Sequence, residues 1–307
     1  MIGIKSCLFF WIQLLITSNK GVSSFSVVLP SQLQNAVQQG LLVEEPIPNL
    51  YILGTVHIGS KSADEARVLI EAVRPTKVIV ELPPSRLSRV RAKIKAKKED
   101  KSSLSNSERV TFLRAIGMYP SLALAGWSKG GISGFLFSTS IVWPSLLKRS
   151  ITGTEEEDEL PRVNEFDATV EAGDKFDAEI IAGDLEFEEL IQSIVSSMTP
   201  ISWMKVGGRL SLEAIGLLPT DPIRRKKGES LADWEARRRS VSTARSSRTH
   251  GEISAPEIHN TVVVERDEKF AQLCLEALES NERVVCVCGL VHLDGILEKL
   301  QDDGTFL

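Results

Sequence analysis

The sequence predicts an α/β fold: a largely parallel or mixed sheet flanked by helices, with a helical insertion. Three observations predict it. Residues 50–57 (LYILGTVH) and 283–292 (RVVCVCGLVH) are short β-rich runs that reach a glycine, and a histidine follows three residues later in each. Residues 50–82 carry a strand pattern, an amphipathic helix and a second strand pattern, the compass of one βαβ unit, which requires parallel strands. The chain has 307 residues, 42% hydrophobic and 25% charged, which is a globular composition and enough for one large domain or two small ones. Its net charge of -5 is mild, and no nucleic-acid partner is expected.

At the N-terminus, Lys5 precedes an apolar run over residues 7–17, and small polar residues follow to Ser24. This is the layout of a secretory signal, assigned to residues 1–25, which sends the chain into the secretory route. The run falls short of the roughly 20 residues of a membrane span. An uncleaved anchor or a buried helix is the plainer alternative. Residues 22–25 (VSSF) are similar to the small-residue-then-Phe junction of bipartite plastid leaders, which makes a plastid or a membrane surface the candidate destination. Residues 26–44 read as a polar linker and 45–307 as the domain.

The first strand ends at His57. Ser62-Ala63-Asp64-Glu65 then has the form of a capping box, in which the hydroxyl and the carboxylate each satisfy one free amide. Ala66, Leu69, Ile70 and Val73 follow at i, i+3, i+4 and i+7, an amphipathic helix stopped at Arg74-Pro75. A second strand over 77–82 is ended by Pro83-Pro84. Ligands of parallel sheets bind beyond the C-terminal strand ends, so His57 and Glu81 fall at one edge.

Residues 87–110 are basic, then polar, and read as an exposed helix. Residues 119–147 are apolar and glycine-rich, either a helical hairpin over the core or a membrane-facing lid; the interspersed glycines argue against one uninterrupted span. The acidic run at 155–159 reads as solvated loop. A helix over 164–170 leads through Gly173 to a strand at 178–181, which Gly183-Asp184 ends, and a further helix runs from Leu185 towards Met198.

Residues 222–257 lose periodicity, with nine Lys/Arg against three acids between Arg224 and Arg248. The segment is expected to be a disordered basic insertion, the sharper alternative being a patch for nucleic acid or an anionic membrane. Phe270, Leu273, Cys274, Ala277 and Leu278 then form a helical stripe. The last strand begins at Arg283, and His292 enters the last helix with Ile296, Leu297 and Leu300 facing inward. Of the four cysteines, Cys7 lies in the leader. Cys286 and Cys288 share one strand face, and with Cys274 they are expected as buried free thiols.

Only four histidines occur in the chain, so two in matching settings suggest one site. His57, His292 and Glu81 at one sheet edge have the makeup of a two-His-one-carboxylate metal site. Such a site polarises a carbonyl and lowers the pKa of bound water. Each glycine allows a close backbone approach where the chain leaves the strand. Gly-x-x-His is also a short, frequent pattern, and a hydrogen bond within a turn explains either histidine alone. Arg86, Glu165, Glu265 and Arg266 complete the candidates. An arginine can grip a carboxylate or an oxyanion, and a glutamate can act as general base. Glu265 and Arg266 read equally well as the cap and salt bridge of their own helix.

These motifs in order, Leu53-Gly54-Thr55-Val56-His57-Ile58, Val80-Glu81-Leu82 with Arg86, Glu265-Arg266-Asp267 and Gly289-Leu290-Val291-His292, resemble the TraB/PrgY/GumN family. Asn164-Glu165 and Gly183-Asp184 look like its middle motifs. The resemblance runs from about Tyr51 to Leu300. It implies a fold of the erythromycin-esterase/ChaN-like group and, through the TIKI metalloproteases, a metal-dependent peptidase or hydrolase acting on a peptide or protein. A divalent ion (manganese, cobalt or zinc) would sit on His57 and His292 with Glu81 or Glu165. Peripheral membrane association is a further implication, and a non-catalytic peptide-binding or membrane-associated adaptor is the competing class. Leu185 stands where the family often has arginine, and the basic segment at 222–257 is additional.

Overall fold

Strand register fixes where the chemistry of this chain can lie. The computed structural model describes residues 27–57, 60–99, 127–128, 131–132, 134–136, 165–226, 228–278 and 282–302. Strands β1 (Leu42–Glu44), β2 (Leu50–Thr55), β3 (Lys77–Val80), β4 (Glu179–Ala182) and β5 (Val284–Gly289) form one sheet in the order β1-β2-β5-β3-β4. β1 runs antiparallel to β2, and the other three pairings are parallel. The last strand is therefore inserted between the two strands of the βαβ unit. Every residue of β2 and β5 is buried, as expected of strands covered on both faces. The fold is α/β, a mixed sheet flanked by helices, as the sequence predicts.

Helices α1 (Ser31–Gln38), α2 (Lys61–Val73), α3 (Pro84–Glu99) and α4 (Glu165–Lys175) pack with one another. In α2 the predicted stripe of Ala66, Leu69, Ile70 and Val73 is fully buried, and Arg74 ends the helix in the left-handed region. α3 is not wholly exposed: Leu87, Val90 and Ile94 are buried, and Arg91 and Lys93 reach Asp174 and Asp167 of α4. A second group comprises α5 (Phe187–Ser197), α6 (Pro200–Ala214), α7 (Leu231–Arg238), α8 (Val241–Ser254), α9 (Pro256–His259), α10 (Glu265–Leu278) and α11 (Leu290–Asp302). Cys274, Cys286 and Cys288 are free and buried, as expected. Among the described residues no helix is long and apolar enough to cross a membrane.

Three expectations are corrected. The linker at 26–44 instead supplies α1 and the edge strand β1, with Leu33, Leu41 and Leu42 in the core. Ser62 and Glu65 do not cap α2, whose N-cap is Ser60 with no side-chain cap bond. They face inward and hold Arg239, at 3.3 Å from the Ser62 hydroxyl and 2.5 Å from the Glu65 carboxylate. The segment at 222–257 is ordered: it carries α7 and α8, and Ser230 caps α7 through the amide of Asp233. Arg237, Arg239, Arg245 and Arg248 of this segment pair with Glu229, Glu65, Asp294 and Asp267, which a count of charge along the chain does not reveal. The leader at 1–25, the acidic run at 155–159 and nearly all of 119–147 lie outside the described residues.

Candidate functional site

Each parallel strand carries one group to the same edge of the sheet. His57 follows β2, Glu81 follows β3, Gly183-Asp184 follows β4, and Gly289 ends β5. α11 starts directly at Leu290, which brings His292 back over the edge within its first turn. His57 adopts φ of 54°, a left-handed backbone uncommon outside glycine and found at strained functional positions.

The two glycines of the repeated motif do different things. A Cβ on Gly54 would meet the Leu290 side chain at 2.7 Å and its backbone at 3.2 Å, so this glycine lets α11 approach β2. A Cβ on Gly289 would meet His57 Nε2 at 3.0 Å, Glu81 Oε2 at 3.1 Å and His292 Cδ2 at 3.6 Å. All three candidate ligands therefore surround one backbone position.

Both imidazoles are held from behind by a carboxylate. His57 Nδ1 lies 2.5 Å from Glu165 Oε1 at the start of α4, and His292 Nδ1 lies 2.7 Å from Asp267 Oδ1 on α10. Glu165, Asp267 and His292 are buried, whereas the His57 side chain is 40% exposed. A carboxylate that accepts a hydrogen bond from Nδ1–H fixes the tautomer and leaves the Nε2 lone pair to ligate, the arrangement found behind metal-bound histidines. Asp267 is itself held by Arg248 Nη1 at 2.6 Å.

Glu81 accepts from the backbone N–H of Gly289 and from Arg266 Nη2 at 2.5 Å, and His292 Nε2 stands 3.6 Å from its Oε1. Burial raises the Glu81 pKa, but His292, through hydrogen bonding and charge, with Arg266 and His57 adding to it, holds the carboxyl well below the usual range. For His292, burial lowers the pKa, but Asp267 and Glu81 outweigh it and raise it overall. A carboxylate kept ionised in this way suits a ligand or a counter-charge better than a general base, which works best near the operating pH. Arg266 Nε also lies 2.9 Å from Asp184, an ion pair without hydrogen-bond alignment.

The remaining expectations divide. Arg266 belongs to the site through Glu81, and its reading as a helix cap is corrected: the π turn Asn260–Val264 ahead of α10 turns both Arg266 and Asp267 inward. Glu265 is exposed, bonded to Asn260, and lies outside the site. Glu165 supports His57 and is not placed as a general base. Arg86 is exposed and stacks on Phe166, whose ring lies 5.2 Å from that of His57.

Sequence reasoning missed the positioning roles of Asp267 and Arg248, the counter-charge Asp184 and the amide of Gly289. It also missed Arg238, which lines a cavity of about 70 Å³ beside His57, Ser247, Gly289 and Leu290. The signal for Asp267 was available in the helical stripe, where it falls three residues before Phe270 on the buried side.

The donor chemistry fits a divalent ion: His57 Nε2 and Glu81 Oε2 flank the Gly289 position, and His292 Nε2 stands 3.6 Å from Glu81 Oε1. As the side chains stand, no group of three or more His, Cys, Asp or Glu among the described residues is arranged to hold one. No family model matches the chain, and no match to a curated protein is found.

Proposed function

We propose that the chain is a metal-dependent hydrolase of the TraB/PrgY/GumN type, with a fold of the ChaN-like group, that cleaves or inactivates a peptide. The observation that supports this most is the pair of carboxylate-backed histidines that both lie against Glu81 beside Gly289. His57 and His292 would hold the ion, with Glu81 as third donor. When bound, the ion would supply Lewis-acid polarisation of a carbonyl and an activated water. Asp267 and Glu165 keep both imidazoles in the ligating tautomer. Arg266 balances the charge of Glu81, and the half-exposed face of His57 is where a substrate enters.

Elemental analysis after incubation with manganese, cobalt or zinc tests the reading. Near-stoichiometric metal is expected in the full chain and is lost in His57→Ala and His292→Ala, each folded by circular dichroism. Absence of metal uptake by the wild-type protein sinks it. A peptide-cleavage screen of the metal-loaded protein follows.

A second reading, a membrane-associated adaptor, is favoured by exposed apolar residues on and after α6: Ile201, Met204, Leu212, Ile215 and Leu217. It expects co-flotation with anionic vesicles that His57→Ala leaves intact and that Ile201→Ser with Met204→Ser abolishes.

A further inference from the structure

Three consecutive arginines in the segment over 222–257 have three different fates. Arg237 folds the segment: it donates to the Pro222 and Arg224 carbonyls and holds the Glu229 carboxylate at 2.7 Å. Arg239 docks it, through Glu65 and Ser62 on α2. Arg238, between them, has no ion pair among the described residues. Its guanidinium lies 5.6 Å from the Trp234 ring, and that ring is fixed by its own N–H to the Ile223 carbonyl at 2.8 Å. The Nε of Arg238 is buried with no hydrogen-bond partner among the described residues, and the side chain lines the cavity beside His57.

Asp221 and Glu165 are near enough to attract Arg238 but neither pairs with it, so the buried Nε–H is left for an anion brought from outside. The rest of the cavity wall agrees. Ser247 contributes a hydroxyl, and Leu290 and Val291 are the opening turn of the 13-residue α11, whose N-terminal dipole favours negative charge. Among the described residues no acidic side chain lines the cavity. Its volume of about 70 Å³ suits a small group, not the middle of a polypeptide.

We propose that Arg238 is the anion-recognising residue of this cavity and that the group it takes is a carboxylate, such as the free C-terminus of a short peptide. The planar guanidinium, set over the Trp234 ring, offers the two parallel N–H donors that a carboxylate matches. The inference rests on reading the edge beside His57 as the substrate site, and it narrows the substrate to one ending in a carboxylate near the scissile bond.

Isothermal titration calorimetry of the full chain with N-acetyl-alanine, N-acetyl-alanine amide and inorganic phosphate tests it without requiring turnover. Saturable binding of the acid is expected, with no binding of the amide and weaker binding of phosphate. Arg238→Gln should weaken the acid at least about tenfold, the loss of a charge-assisted hydrogen bond. Arg238→Lys, which keeps the charge but not the fork, should fall between them and shows that the loss is not one of folding. Equal binding of acid and amide, no saturable binding of either, tighter binding of phosphate, or an unchanged Arg238→Gln each overturn the proposal. Arg238-dependent binding of the acid in a protein that takes up no metal would leave this site standing and remove the hydrolase reading alone. Peptide cleavage with acid binding unchanged in Arg238→Gln would do the reverse.

Discussion

Gly289 is the residue on which the site turns, because its missing side chain is the space the three candidate ligands share. In Gly289→Ala the new methyl would press on His57 Nε2 at 3.0 Å and Glu81 Oε2 at 3.1 Å, contacts relieved by shifts of a few tenths of an ångström. Global stability should therefore change by only about 1 kcal/mol, while metal uptake measured by elemental analysis is lost. Retention of full metal content would show that the ligands do not meet there. Behind the ligands, Asp267→Asn should weaken metal binding by about 10–100-fold in a competitive chelator titration, the usual cost of removing a carboxylate that orients a bound histidine. An unchanged affinity would mean that Asp267 serves folding alone. The ligand candidates were legible as residue types at matched spacing, since His57 and His292 follow the same strand-glycine pattern. Their supports were not, because Asp267 and Glu165 reach the histidines from other helices, and no local pattern encodes a contact 108 residues long such as Glu165 with His57.

Among the elements, α7 decides whether the cavity has a roof, and one ion pair fixes it to α2. Arg239 is buried, and its Glu65 partner is only 16% exposed. Breaking such a pair strands the remaining charge, so Arg239→Ala should destabilise the protein by about 3 kcal/mol. Hydrogen exchange reads the location of the effect: amides of α7 and α8 should lose protection in the variant, while those of β2 and β5 keep it. Uniform loss of protection would mean that the segment is no separate unit. This is where the sequence misled. Arg237, Arg238 and Arg239 look like a solvated charge run because the buried contact of Arg239, with Glu65, lies far along the chain. The same residues that suggest a capping box, Ser62 and Glu65, are the far half of that contact. The π turn before α10 is equally invisible to a 3.6-residue period, yet it is what turns Arg266 and Asp267 to the core.

For the whole molecule, the topology follows from pattern far better than the packing of its polar groups does. The βαβ unit and the final strand were readable because apolar runs, glycines and prolines punctuate them locally. The insertion of β5 between β2 and β3 was not, since all three strands are equally apolar and could pair in several orders. That insertion draws α8, α9, α10 and α11 together around His259, which is buried with its Nε2 unpartnered. Burial lowers the His259 pKa, with Arg248 and His292 lowering it further and Glu252 and Asp267 opposing them. A histidine depressed in the folded state binds its proton more readily when unfolded. Its contribution is therefore present above the ordinary histidine value of about 6.5 and is lost as pH falls from there through the lower folded value. The raised pKa of His292 acts in the opposite sense, so the mark of His259 is the extra fall in unfolding temperature that it adds between roughly pH 7.5 and roughly pH 5.5. In His259→Gln, which cannot take up the proton, that fall should shrink, with the midpoint at the higher pH lowered only by the loss of packing against Gly251. An acid limb of the same steepness in the variant would place the sensitivity in other groups at the helix junction.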